Sequence, residues 1–218
     1  MKISKIIMSS AIALGLAFSG SAFSAEVNIT PQLESITVMH GGSNVKIMRN
    51  QNQNNVVSPA FSKTSRKCPP FCIQPGSLGP GVETIAELEV IDYLKKINDG
   101  DTTILVIDSR TPDWAAKGTI PGAINLPWTK LNQSKGADPI SIGEIMEGSF
   151  NAQNLEGLWD YSNAKTLVMF CNGMWCGQSP NNIKNLLKFG YPAHKIKWYR
   201  GGMQDWEILG LSTAKVAN

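Results

Sequence analysis

The run Thr103-Ile-Leu-Val-Ile107 most constrains the fold, because it is continuously apolar, rich in β-branched residues and too short for a helix. A strand of this kind has no face for water, so it belongs inside a parallel sheet covered by helices on both sides. The flanking patterns supply those helices. Ile85, Leu88, Ile91, Leu94 and Ile97 recur at three-residue steps through 84–98, which predicts one apolar helical stripe, with Gly100 as its stop. Further strands are expected at 123–125, 166–170 and 195–199, and helices at 141–146, 178–189 and 203–209. This alternation predicts an α/β fold: an open, mainly parallel sheet flanked by helices.

The segment before Gly81 is different. Residues 1–24 combine Lys2 and Lys5, an apolar run over 6–18 and a small, polar end, the pattern of a secretory signal peptide. That run is too short for a comfortable bilayer span, so no stable membrane anchor is expected, and export points to a periplasm. Residues 25–80 form an Asn/Gln/Ser-rich extension, expected to be β-rich, with strands at 35–40 and 44–49 around Gly41-Gly42-Ser43 and a rigid Cys68-Pro-Pro-Phe-Cys72 loop. Residues 81–218 are the α/β domain. Without Lys2 and Lys5 there are 18 basic against 17 acidic residues and no dense basic stripe, so nucleic acid is not an expected partner.

Thr166-Leu-Val-Met-Phe-Cys171 carries the chemistry. An apolar strand delivers Cys171 into a short loop, Asn172-Gly173-Met174-Trp175-Cys176-Gly177, before a helix begins near Gln178. Loop N–H groups and the positive helix end would then converge on the sulfur and favour its thiolate. Cys176 has two readings: a thiol that resolves an oxidised or persulfidated Cys171, or a small residue filling the core. Trp175 is either a rim over the loop or packed surface. His40 and His194 are expected to be solvated or packed.

Four motifs in order add a resemblance. Val106-Ile-Asp108-Ser-Arg110, Gly118-Thr-Ile-Pro-Gly122-Ala-Ile-Asn-Leu-Pro127, the Cys171 loop, and Arg200-Gly201-Gly202-Met-Gln-Asp-Trp206 together resemble rhodanese-like sulfurtransferases over roughly 83–212. The resemblance implies that Cys171 takes sulfane sulfur as a persulfide, from a small donor or a persulfidated protein, and passes it to a thiol acceptor. It implies no cofactor and no metal. It also makes Asp108 and Arg110 mainly structural, the first tying loops and the second pairing with a carboxylate, although both could reach the site rim.

Departures from the pattern redirect the chemistry. Many such loops place an arginine five residues after the nucleophile, but Cys176 stands there, so a dianionic donor such as thiosulfate loses its guanidinium. Arg200 then becomes the candidate rim cation, with a surface ion pair as its alternative. A phosphatase reading would need arginine where Gly177 stands. Trp175-Cys176-Gly177 also resembles a thioredoxin turn, but the second cysteine would fall at Ser179. Cys68 and Cys72 are expected to form a local disulfide, given export and an even cysteine count, with a redox relay to Cys171 as an alternative; zinc held by all four cysteines would consume the nucleophile. Three functions are therefore weighed: a sulfurtransferase, a Cys171/Cys176 thiol-disulfide protein, and a non-catalytic sulfur carrier or protein-binding module.

Overall fold

The computed structural model describes residues 26–216, so the expected signal peptide at 1–24 lies outside the described residues. Its first elements are β1 (Ser35–His40) and β2 (Ser43–Met48), an antiparallel hairpin. Alternation directs Ile36, Val38 and His40 inward, and Ile47 joins them from the second strand. The α/β domain follows as β3 (Glu83–Ile85), α1 (Glu87–Asn98), β4 (Ile104–Asp108), α2 (Pro112–Ala115), β5 (Ile124–Asn125), α3 (Pro139–Glu144), β6 (Gln153–Leu155), β7 (Leu158–Asp160), β8 (Thr166–Phe170), α4 (Gln178–Lys188), β9 (Ile196–Tyr199) and α5 (Gly202–Ile208). Five of these strands make a parallel sheet in the order β3-β9-β8-β4-β5. The expected parallel architecture is present, with β6 and β7 as a separate antiparallel pair.

The sheet is covered on both faces. On one, Val90, Ile91 and Leu94 of α1 and Met203 and Trp206 of α5 pack with Ile36, Val38 and Ile47 of the hairpin. On the other, Ile142 of α3 and Ile183 and Leu186 of α4 pack with Leu131, Phe150 and Tyr191. Because both faces are dry, Leu167, Val168, Met169 and Phe170 of β8 are all fully buried. The extension thus completes a hydrophobic layer rather than standing apart. His40 fastens it: Nδ1 accepts the Gly122 N–H at 3.0 Å, and Nε2 lies 2.6 Å from the Lys215 carbonyl oxygen.

Several boundaries differ from the sequence expectation for identifiable reasons. Residues 83–85 are strand, because they pair with β9, and α1 starts only after Ala86, whose N–H is taken by the Glu89 carboxylate at 3.0 Å. Leu88 is 48% exposed and Val90 takes a place in the core instead, since three-residue steps drift around a helix of 3.6 residues per turn. Helix α3 begins two residues before its expected start because Asp138 caps it, accepting the N–H groups of Ile140 (3.0 Å) and Ser141 (2.9 Å). The β6–β7 hairpin was not anticipated, and its Leu155 and Leu158 face solvent, leaving no hydrophobic alternation to read. Among the described residues, no helix is long and apolar enough to cross a membrane.

Candidate active site

β8 carries the nucleophile to the carboxyl edge of the sheet, where open α/β folds gather their reactive groups. Cys171 follows Phe170 directly and is only 3% exposed. Two neighbours define its sulfur. Ser179, in the first turn of α4, donates its hydroxyl to Cys171 Sγ at 3.1 Å, and Trp198 of β9 donates its indole Nε1–H to Ser179 Oγ at 3.1 Å. Accepting from Trp198 leaves the single Ser179 hydroxyl proton free to point at the sulfur.

Burial of the Cys171 sulfur pushes its pKa up, yet hydrogen bonds outweigh burial. The Cys176 thiol, the Ser179 hydroxyl and the N–H groups of Ser179 and Gly173 together lower it to about 7. Cys176 moves the other way. Its own burial and the adjoining Cys171 sulfur raise its pKa well above the usual thiol range, so it remains the protonated partner. When protonated, Cys171 Sγ donates to the Cys176 carbonyl oxygen at 3.4 Å. The N–H groups of Gly173 and Ser179 add to the lowering, but the closest donor to the sulfur is the Ser179 hydroxyl, which sequence reasoning missed. Its only sequence signal was a hydroxyl residue at the start of the helix after the nucleophile.

Removing that hydroxyl gives a direct check. In Ser179→Ala the midpoint of Cys171 alkylation by iodoacetamide should move up by about one pH unit, the scale of one hydrogen bond to a charged group. An unchanged midpoint would exclude Ser179 as a stabiliser of the thiolate.

The loop rests on a buried polar platform. Asp108 and Arg110 are both fully buried, and the guanidinium grips the carboxylate through Nε (2.8 Å) and Nη2 (2.5 Å). Thr119 donates to Asp108 at 2.8 Å, while Arg110 also donates to the Gly118 carbonyl (2.6 Å) and the Asn172 side-chain oxygen (3.4 Å). The structural roles expected for both residues are present, but their reach to the rim is not. Asn172 is itself buried; its side-chain oxygen accepts from the Arg110 guanidinium below, and the residue also borders the cavity beside the loop.

Close backbone packing sets the loop height. Met203 and Gln204 donate their N–H groups to the carbonyls of Cys171 (3.0 Å) and Asn172 (2.9 Å). Gly202 allows this approach: it has φ 57°, and an added Cβ would lie 2.9 Å from Gly173 N. Gly202→Ala should cost about 2 kcal/mol or more, read in urea unfolding, because both the left-handed backbone and the loop contact oppose a side chain.

The extension reaches over this loop. Cys68 and Cys72 form the expected disulfide, with Cα atoms 4.6 Å apart, so they are not available to join the loop thiols around zinc. Phe71 meets Trp175 edge to face at 5.6 Å, and the Arg66 guanidinium lies 3.8 Å from the Trp175 ring centroid. Trp175 is further fixed by donating to Gln204 Oε1 at 2.7 Å. Met174 is 40% exposed, and its carbonyl accepts the Gln74 N–H at 2.8 Å. Arg200 departs from the expected rim cation and from the expected ion pair. Its guanidinium donates to the carbonyls of Pro75 (3.0 Å) and Gln74 (2.8 Å), anchoring the extension because those carbonyls would otherwise lack a donor.

These contacts enclose a cavity of about 270 Å³ beside the loop. Its walls include Phe71 from the extension, Trp114 after β4, Trp128 after β5, and Trp175 and Cys176 from the loop. Gly177 and Gln178 also border it, whereas Cys171 does not line it. Apart from the Cys176 thiol, no ionisable side chain lines the cavity. Trp114, Trp128 and Phe71 were missed by sequence reasoning, since nothing local marks an aromatic residue as part of a distant wall.

Similarity to known proteins follows the same elements. Among curated proteins there is no match. The human single-domain sulfurtransferase TSTD1 is 22% identical, with coverage of 58% of this chain and 96% of that one and a TM-score of 0.39. The BH2092 protein from Bacillus halodurans is 20% identical over 58% of this chain and 72% of that one, with a TM-score of 0.39. A thiosulfate sulfurtransferase from Pseudomonas aeruginosa is 19% identical over 63% of this chain and 21% of that one, with a TM-score of 0.41. The rhodanese-like domain model matches residues 90–209, spanning β4, the Asp108–Arg110 platform, the Cys171 loop and α5. With more than half of its length so matched, this chain belongs to the rhodanese-like domain family.

Proposed function

We propose that the protein is an exported sulfurtransferase that takes sulfane sulfur onto Cys171 as a persulfide and passes it to a thiol acceptor. The carrying observation is the Cys171 cradle, in which a buried sulfur accepts the Ser179 hydroxyl at 3.1 Å and has its pKa lowered to about 7. With a persulfide R–S–SH as donor, the thiolate attacks the outer sulfur, the Cys171–S bond forms, and R–S⁻ leaves with the electron pair of the broken S–S bond. An acceptor thiolate then attacks the outer sulfur of the Cys171 persulfide and releases the Cys171 thiolate.

The cavity bears on donor choice. An uncharged aromatic wall offers no ion pair to thiosulfate, and burying a dianion there is costly. Persulfides and polysulfides, which need no guanidinium clamp, suit it better. Export is supported by the leader pattern at 1–24 and by the Cys68–Cys72 disulfide, a link that persists in oxidising compartments.

Intact-mass analysis of reduced protein exposed to polysulfide tests the reading. One added sulfur on the Cys171 peptide is expected, and an inert Cys171 under all sulfane donors would refute it. The pH dependence has a definite sign. Below about 7 Cys171 is a thiol and unreactive, and above it the thiolate predominates, so alkylation should rise with a midpoint of about 7. Iodoacetamide, which does not titrate in this range, reads that midpoint. A profile rising only near the ordinary thiol value of about 8.5 would remove the activated thiolate.

A further inference from the structure

We propose that the loop pair forms a sulfide-releasing persulfide reductase: Cys176 resolves the Cys171 persulfide into an intraloop disulfide, which an apolar organic thiol entering the aromatic cavity opens at Cys176. This inference rests on Cys171 accepting sulfane sulfur. It goes further by assigning Cys176 a reaction, a direction of electron entry and a class of reductant.

Placement of the two sulfurs carries the argument. The loop turns on the Cys176 N–H to Gly173 carbonyl bond at 2.9 Å, which folds Cys176 back over the nucleophile. Cys171 Sγ lies 3.4 Å from the Cys176 carbonyl oxygen, and the Cys176 thiol points to Gln178 Oε1 at 3.9 Å, from which a rotation about its Cα–Cβ bond redirects it. A second thiol carried by the same tight turn as the nucleophile reacts with it at high effective concentration. They are not equivalent toward the outside. Cys176 lines the cavity, whereas Cys171 is seated below it in the cradle of Ser179, Trp198 and the loop N–H groups.

The chemistry balances without an added oxidant. Cys176 sulfur attacks the inner sulfur of Cys171–S–S⁻, the Cys171–Cys176 bond forms, the bond to the outer sulfur breaks, and HS⁻ leaves with the electron pair. Outer sulfur is thus reduced by two electrons while the two cysteine sulfurs are oxidised, and the proton of Cys176 accompanies the departing sulfide. An incoming R–S⁻ then attacks Cys176 Sγ, and Cys171 departs as the thiolate. The same cradle that activates Cys171 as nucleophile makes it the better leaving group. A second R–S⁻ attacks the R sulfur of the mixed disulfide, giving R–S–S–R and a Cys176 thiolate that regains a proton.

Phe71, Trp114, Trp128 and Trp175 define what R can be. An aromatic or branched apolar body buries surface against them, whereas a sulfonate or carboxylate would enter without a counter-charge. The neutral cavity therefore selects the reductant that meets Cys176.

The test uses the purified protein, Cys176→Ser and stoichiometric inorganic polysulfide. Loading expels HS⁻ or a shorter polysulfide from the donor in both proteins; beyond that leaving group, wild type should release one further sulfide per chain and finish with a Cys171–Cys176 disulfide on peptide mapping, while Cys176→Ser should keep the persulfide on Cys171 and release no further sulfide. A stable persulfide in both proteins would overturn the inference and leave the sulfurtransferase reading intact. No persulfide in Cys176→Ser, with no sulfide released from wild type at either step, would overturn both. A second arm makes the loop disulfide directly with diamide and then adds benzyl mercaptan or 2-mercaptoethanesulfonate. Benzyl mercaptan should reduce it about tenfold faster or more at equal thiolate concentration, with the acid-trapped mixed disulfide on Cys176. Equal rates, or a mixed disulfide on Cys171, would overturn the assigned entry route.

Discussion

Cys171→Ser should lower sulfur uptake by more than about 10³-fold, because a serine hydroxyl is not ionised at neutral pH and cannot replace the thiolate as nucleophile. The substitution keeps nearly the same shape in a site that is 3% exposed, so thermal unfolding should shift little and the loss can be assigned to chemistry. Radiolabelled polysulfide with mapping of the labelled peptide is the decisive measurement. Label retained at near wild-type level, or found on Cys176 of the variant, would move the acceptor role away from Cys171. Cys176→Ser should keep uptake within about tenfold, since Ser179 and the N–H groups of Gly173 and Ser179 still face the nucleophile.

Arg110→Leu should have the largest effect on stability. It would leave the Asp108 carboxylate fully buried after losing the guanidinium bonds at 2.8 and 2.5 Å, with the Thr119 hydroxyl and the Arg110 backbone N–H among its few remaining donors. Breaking one side of a buried pair costs about 3–5 kcal/mol. For a protein of this size that is a fall in melting temperature of roughly 10 °C. The double variant Asp108→Leu/Arg110→Leu should recover part of the loss by removing the stranded charge. A single variant that melts within about 2 °C of wild type would show that solvent or another donor reaches Asp108. The Asn172 contact links this platform to the loop, so alkylation of Cys171 should also slow in Arg110→Leu before global unfolding begins.

Much of the framework was legible because its signals are local. The apolar run at β8 required a strand without a wet face, and the helical pattern after Gln178 required a turn directly beyond it, so a loop cysteine at that junction had to sit at the sheet's carboxyl edge. The strand expected at 103–107 is present as Ile104–Asp108, while the structural roles of Asp108 and Arg110 were implied by the family resemblance and not by a local signal. The failures have equally specific causes. Residues 84–85 looked helical by spacing, yet pairing with β9 determines their conformation. Arg200 was expected at the rim or in a surface ion pair, because its actual partners, the carbonyls of Gln74 and Pro75, belong to an extension with no sequence pattern linking it to β9.

The site divides along the same line. Sequence by itself determined that a strand ends in Cys171, that a glycine-containing loop follows, and that Cys176 occupies a position where an arginine is often found. Those facts depend on residue order, strand periodicity and turn chemistry, all set within a few residues. Only the tertiary structure decided that Trp198 orients Ser179 toward the sulfur, that Arg110 is buried beneath the loop, and that the extension brings Phe71 to an aromatic cavity lined by Cys176 and not Cys171. A thiol's acidity and its access to solvent are sums over groups that converge from distant parts of the chain, and that convergence exists only once the sheet has closed around them.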